Sequence, residues 1–211
     1  PAPGLLAIGR LLVNVNTNAG QTNGVSVFDL FSSGAMDLIP GSPFASGQAN
    51  VNSQGRTARL GNFVFTPTQG GLHAFSYNAA NGQLLSQGLR GLPSASRFLS
   101  GNGTESLFYV TTGGMLAGTQ IDPSSGAEVG SSSLLVNPQG PGNTNWSFWS
   151  IQPLRGATQD LVFVAGRSTD SANPNVQGTQ ETVQVQAFRF DRSVTPPVLT
   201  DRKSTRLNSS H

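Results

Sequence analysis

The chain of 211 residues is only 10% charged, against roughly a quarter in ordinary domains, and Gly, Ser, Thr, Asn and Gln fill the difference. It has no cysteine, which excludes disulfides and thiolate metal sites. Arg202, Lys203, Arg206 and Asp201 lie in the last eleven residues, so residues 1–200 carry nine basic and nine acidic side chains, a neutral balance that excludes the basic footprint of a nucleic-acid binder.

The opening stretch PAPGLLAIGRLLVNVN has no initiator Met, and Arg10 interrupts its apolar run. The layout is not that of a signal peptide, and the chain reads as a piece of a longer gene. LLVNVN (11–16) alternates like a strand. No segment reaches the ~18 consecutive apolar residues of a spanning helix. No stretch sustains helical i, i+3, i+4 spacing between caps.

Short β-rich runs recur instead, with turn residues between them. A strand, a turn closed by glycine and a second strand appear at 25–36 (VSVFDLFSSGAM), 72–84 (LHAFSYNAANGQL) and 116–129 (LAGTQIDPSSGAEV). The turn glycines, Gly34, Gly82 and Gly126, are 48 and 44 residues apart. Glycine there supplies the left-handed backbone that closes a short hairpin. A fourth copy, 183–198 (VQVQAFRFDRSVTPPV), keeps the strand and loses the glycine.

Ahead of each unit lies another apolar strand: 11–16, 62–67 (NFVFTP), 106–111 (SLFYVT) and 160–165 (DLVFVA). Ahead of the last three come GRTARL (55–60), SASRFLS (94–100) and WSFWSIQPL (146–154), read as innermost strands. Four short strands in roughly 45 residues is the size of one propeller blade. An antiparallel sandwich also has many short strands, but not one signature at a near-constant period. The reading is all-β: about four four-stranded blades of a truncated, seven-bladed β-propeller. The blades are placed at about 1–47, 48–91, 92–136 and 137–200, the first without its innermost strand.

The tail DRKSTRLNSSH (201–211) is unlike the rest and holds Lys203, the only lysine. It back-translates to a string that looks like the adapter ligated to fragments for short-read sequencing. It is therefore set aside from the fold reading.

The candidate chemistry is sparse. His73 offers an imidazole able to act as general base on a water attacking a lactone carbonyl. Alternation places it opposite Leu72 and Ala74 on a strand away from the channel, which favours a structural histidine. Arg56, Arg59, Arg97 and Arg155, on or beside innermost strands, could hold a carboxylate or phosphate in a bidentate fork. Pairing with Asp160 or Glu105 is the commoner fate. Trp146 and Trp149 could stack on a sugar ring, or fill the wedge between blades. Asn18 and Asp170, in the long polar loops 16–24 and 166–182, could hydrogen-bond a polyhydroxyl ligand, although such loops are usually just solvated. Asp170, Asn173 and Asn175 lack calcium-loop spacing. The NGT at Asn102 and NWS at Asn145 read as chance matches to the glycosylation pattern. No nucleophile elbow, phosphate-cradling loop or zinc-spaced histidine pair is present. No metal or other cofactor is expected.

At GVSVFDLFSSGAMDLIPGSPFASG (24–47) and IDPSSGAEV (121–129) the chain resembles the lactonase-like seven-bladed propellers. That group includes one type of 6-phosphogluconolactonase and the fungal carboxymuconate-lactonizing enzymes. PGSPFASG (40–47) resembles the family's between-blade linker. LFYVTTGG (107–114) resembles the Tyr-Val-Thr-Asn surface-protein repeats, with Thr112 in place of Asn. The resemblance spans most of residues 10–199 and rests on structural motifs. It implies a hydrolase opening a sugar or organic-acid lactone, with His, Arg and Glu around the channel. His73, Glu105, Glu128 and Glu181 match no such motif. The alternative is a non-catalytic propeller offering its loop face to a glycan or protein. The lysine-free, low-charge composition of residues 1–200 points to an extracytoplasmic protein, monomeric when full length.

Overall fold

The computed structural model describes residues 7–15, 22–49, 56–68, 70–90, 98–111, 115–136, 146–168 and 182–202; for 22, 48, 49, 146–149, 167, 168 and 182–184 it describes the backbone alone. The described residues contain sixteen strands and no helix. The strands form four four-stranded antiparallel sheets in chain order, the blades of a β-propeller. Blade 1 holds β1 (Gly9–Val15), β2 (Thr22–Leu30), β3 (Met36–Leu38) and β4 (Phe44–Ala49). Blade 2 holds β5 (Ala58–Leu60), β6 (Phe63–Thr68), β7 (Gly71–Tyr77) and β8 (Leu84–Arg90). Blade 3 holds β9 (Leu99–Gly101), β10 (Ser106–Val110), β11 (Met115–Ile121) and β12 (Glu128–Leu135). Blade 4 holds β13 (Trp146–Arg155), β14 (Gln159–Ser168), β15 (Thr182–Asp191) and β16 (Val198–Arg202). In blades 2 to 4 the strand order is sequential, so β5, β9 and β13 form one edge, and each lies beside the next.

Strand alternation explains the stacking, because successive side chains leave opposite faces of a blade. Val64 and Phe75 face blade 1 and pack with Val25, Val27 and Ile39. Their neighbours Phe63, Phe65 and Leu72 face blade 3 and pack with Leu107, Tyr109 and Ile121. Phe108, Val110 and Leu116 then turn to blade 4 and meet Val162, Phe188 and Phe190. Central strands buried on both faces read as continuous apolar runs, as FVF (63–65) and LFYV (107–110) do. The outward faces of the two terminal blades are different. Leu11, Val13 and Leu38 on blade 1, and Leu154 and Val185 on blade 4, are exposed.

Gly34, Gly82 and Gly126 close the β2–β3, β7–β8 and β11–β12 hairpin turns, with φ of 83°, 76° and 68°. Two of them also touch the preceding blade. A Cβ on Gly126 would lie 2.7 Å from the Phe63 ring, and one on Gly82 would lie 2.9 Å from Arg10 Nε. The fourth turn lacks a glycine and is closed by a carboxylate. Asp191 Oδ1 accepts from the Ser193 amide at 2.9 Å and its hydroxyl at 2.6 Å. Asp122 does the same with Ser124 at 2.7 and 2.6 Å. These bonds to the ionised form hold both carboxyls below the usual aspartate value.

One segment departs from its sequence reading. Residues 40–47 are expected as a between-blade linker, yet Phe44–Ala49 pairs with β2, which also holds β3. The outer strand of blade 1 is one strand split by Pro40, Gly41 and Pro43. Proline cannot donate to the ladder, and Gly41 turns the chain with φ of 89°. At the break, Ser42 Oγ accepts from the Val27 amide at 3.1 Å, replacing a lost ladder partner. At the other end, the β15–β16 ladder runs through Asp201 and Arg202, opposite Phe188 and Ala187.

Candidate functional site

Three polar constellations stand among the described residues. The first joins blades 3 and 4 beside the β13–β14 hairpin. Arg192 (side chain 5% exposed) donates to Asp160 Oδ1 at 3.3 Å, to the Gly156 carbonyl at 2.6 Å and to Glu105 Oε1. Asp160 is fully buried and accepts from Asn102 Nδ2 at 2.9 Å. Asn102 Oδ1 in turn accepts the amides of Thr104, Glu105 and Ser106, each at 3.0 Å. Arg155 reaches Glu105 Oε1 at 3.2 Å from an exposed position. Every carboxylate here is spoken for. The network clamps two blades, and Asn102 commits its side-chain amide to it.

His73 forms the second. Its ring is 2% exposed, lies 4.8 Å from Phe75 and shares a 2.9 Å hydrogen bond between Nε2 and Ser86 Oγ. Nδ1 is buried without a hydrogen-bond partner. Burial first, and then the charge of Arg90, push its pKa below the ordinary histidine value. It faces blade 1, opposite Leu72 and Ala74, as alternation predicts. Above about pH 6.5 it is neutral in both folded and unfolded chains. As pH falls through that value the unfolded chain takes up the proton first, so stability drops by up to about 1.4 kcal/mol per pH unit. The urea midpoint is therefore expected to be lower at pH 5.5 than at pH 7.5, and His73→Gln should flatten the difference. A wild-type midpoint that does not move between those values would refute a buried neutral imidazole.

The third is a cavity of about 380 Å³ between blades 1 and 2, walled by Ile8, Arg10, Leu12, Arg59, Tyr77 and Ala79 among others. Arg10 is fully engaged: Nε donates to Asp29 Oδ1 at 2.8 Å, Nη1 to Tyr77 Oη at 3.4 Å and to the Ala79 carbonyl, and Nη2 to the Ala80 carbonyl at 3.2 Å. The bond to Tyr77 does most to hold its pKa above the ordinary arginine value. Arg59 lies over the Tyr77 ring, 4.4 Å from the centroid, and its Nε donates to the Gly61 carbonyl at 3.0 Å.

The sequence-predicted residues are not gathered into one site. Arg155 is paired with Glu105, and His73 sits in a blade interface. Arg56 is exposed just before β5 and does not line the cavity. Trp146 lies opposite Ser168 in the β13–β14 ladder, and Trp149 is the extra residue at its bulge. Arg97, Asn18 and Asp170 lie outside the described residues. Sequence reasoning named Asp160 and Glu105 as arginine partners but missed Arg192, which pairs with both. Its signal was a charged residue just past the apolar strand AFRF (187–190) in a chain with few charges. No group of three or more His, Asp or Glu able to hold a metal stands among the described residues.

No known protein family matches the sequence, and no curated protein does. Among solved structures, the chain is similar to a candidate 6-phosphogluconolactonase from Bacteroides fragilis. That similarity has a TM-score of 0.52 and 12% identity, and covers 95% of this chain and 68% of that one. The N-terminal domain of Nup159 matches at a TM-score of 0.42 and 9% identity, over 93% of this chain and 47% of that one, too loosely to argue from. The first similarity covers 95% of the chain and shows the fold, a β-propeller.

Proposed function

We infer that the protein is a lactonase-like propeller hydrolase that opens a sugar or organic-acid lactone. The observation that carries this reading is the similarity of all four blades to a candidate 6-phosphogluconolactonase, over 95% of the chain. The reaction adds water across the ring ester. A base takes a proton from water, the hydroxyl attacks the carbonyl, and the ring oxygen leaves as an alcohol. In this reading arginine side chains hold the substrate's anionic group, and His73, committed to Ser86, does not serve as the base. The test is a pH-stat assay of 6-phosphogluconolactone and gluconolactone. Ring-opening by the purified protein at about tenfold or more above the spontaneous rate is expected, and a rate equal to the buffer blank overturns the hydrolase.

A second reading is a non-catalytic extracytoplasmic propeller that binds a glycan or protein. It is favoured by the locked imidazole and by the low-charge composition.

A further inference from the structure

We propose that the cavity between blades 1 and 2 is a binding site for a small oxyanion, a carboxylate or a phosphate monoester, with Arg59 as its anchor. The two arginines of this cavity differ, whether or not the protein is a hydrolase. Arg10 spends Nε, Nη1 and Nη2 on Asp29, Tyr77 and two carbonyls, so its charge is balanced and its donors are used. Arg59 has one protein hydrogen bond, from Nε to the Gly61 carbonyl. Its Nη1 and Nη2 have no acceptor among the described residues.

The guanidinium is nevertheless held in place. It lies over Tyr77, 4.4 Å from the centroid, and Tyr77 is itself 7% exposed, its hydroxyl tied to Arg10. An arginine fixed through Nε and one π face has already lost much of its rotamer freedom. It presents the remaining N–H pair as a fork of the width a carboxylate or phosphate matches. The named walls carry two cations and no carboxylate, with room, at about 380 Å³, for a ligand of a few carbons. Leu12 and Ile8 add an apolar wall, so the ligand fitted here has an anionic end and a less polar body.

The same geometry sets the selectivity. A dianionic phosphate gains more from a single unbalanced cation than a carboxylate does, and added chloride screens both. Arg59→Lys keeps the charge and loses the planar fork, so it should bind more weakly than wild type and more tightly than Arg59→Gln.

The experiment is calorimetric titration of the full chain with inorganic phosphate and, separately, with gluconate, at low salt. Binding of at least one is expected. Arg59→Gln should weaken it by about tenfold or more, while Arg56→Gln, which removes the same charge outside the cavity, should not. Which anion binds more tightly separates a phosphate site from a sugar-acid site. Should Arg59→Gln fail to fold, phenylglyoxal labelling of the wild-type chain read by peptide mass spectrometry replaces it, and the bound anion should protect Arg59 and not Arg56. Absence of binding by both anions at about 10 mM, an affinity weaker than one charge-assisted pair gives, overturns the site. So does equal loss in both variants, or labelling of Arg59 that neither anion slows. A protein that binds phosphate without opening lactones refutes the hydrolase and leaves this site standing.

Discussion

Asp160→Ala is expected to lower stability by about 3–5 kcal/mol, the range for breaking a buried ion pair by removing one partner. Asp160 is fully buried and divides its oxygens between two blades: Oδ1 takes Arg192 of its own blade, Oδ2 takes Asn102 of blade 3. Alanine strands both donors. Arg192 keeps Glu105, but that carboxylate is 20% exposed and shared with Arg155, so it offsets only part of the loss. Asn102 loses the anchor that aims its Oδ1 at three turn amides. Asp160→Asn keeps shape and some hydrogen bonding, and should cost about 1–3 kcal/mol. Arg155→Ala removes a cation that is 47% exposed, and should cost less than about 1 kcal/mol. Urea denaturation followed by circular dichroism measures all three. An Asp160→Ala protein as stable as Arg155→Ala would show that the network does not hold the blades.

Phe108→Ala should cost a similar amount, about 3–5 kcal/mol, through lost apolar burial and the cavity left behind. Phe108 is fully buried on the blade 4 side of β10 and meets Phe190 edge-on, centroids 5.3 Å apart at 87°. Little can collapse into the gap. Gly118 already sits so close to both rings that a Cβ there would lie 2.8 Å from Phe190 and 3.1 Å from Phe108. The double variant with Phe190→Ala should fall short of additivity by about 0.5–1.5 kcal/mol, the coupling of an aromatic pair. Strict additivity would mean that the rings merely share an interface.

The blades were legible because their signal is local. A strand of alternating commitments, a turn closed at Gly82 or Gly126, and a returning strand are each written within about fifteen residues. The polar clamp was not, because Arg192 meets Glu105 across 87 residues of sequence, with no motif to mark the pairing. The split outer strand of blade 1 was hidden for the opposite reason. Pro40, Gly41 and Pro43 signal a break so strongly that the renewed pairing at Phe44 went unseen. His73 was readable as to face, since period-two alternation decides that, but its bond to Ser86 depends on a bulge in β8 that composition does not announce.

The division of labour along β10 has an evolutionary corollary. Leu107 and Tyr109 serve one neighbour while Phe108 and Val110 serve the other, so deleting a single residue there would hand each side chain to the wrong partner and spoil two seams at once. Changes of length are thus confined to the connections, where repeat periods of 48 and 44 can differ without harm. Drift within the strands must proceed by exchange of one side chain for another, at fixed register.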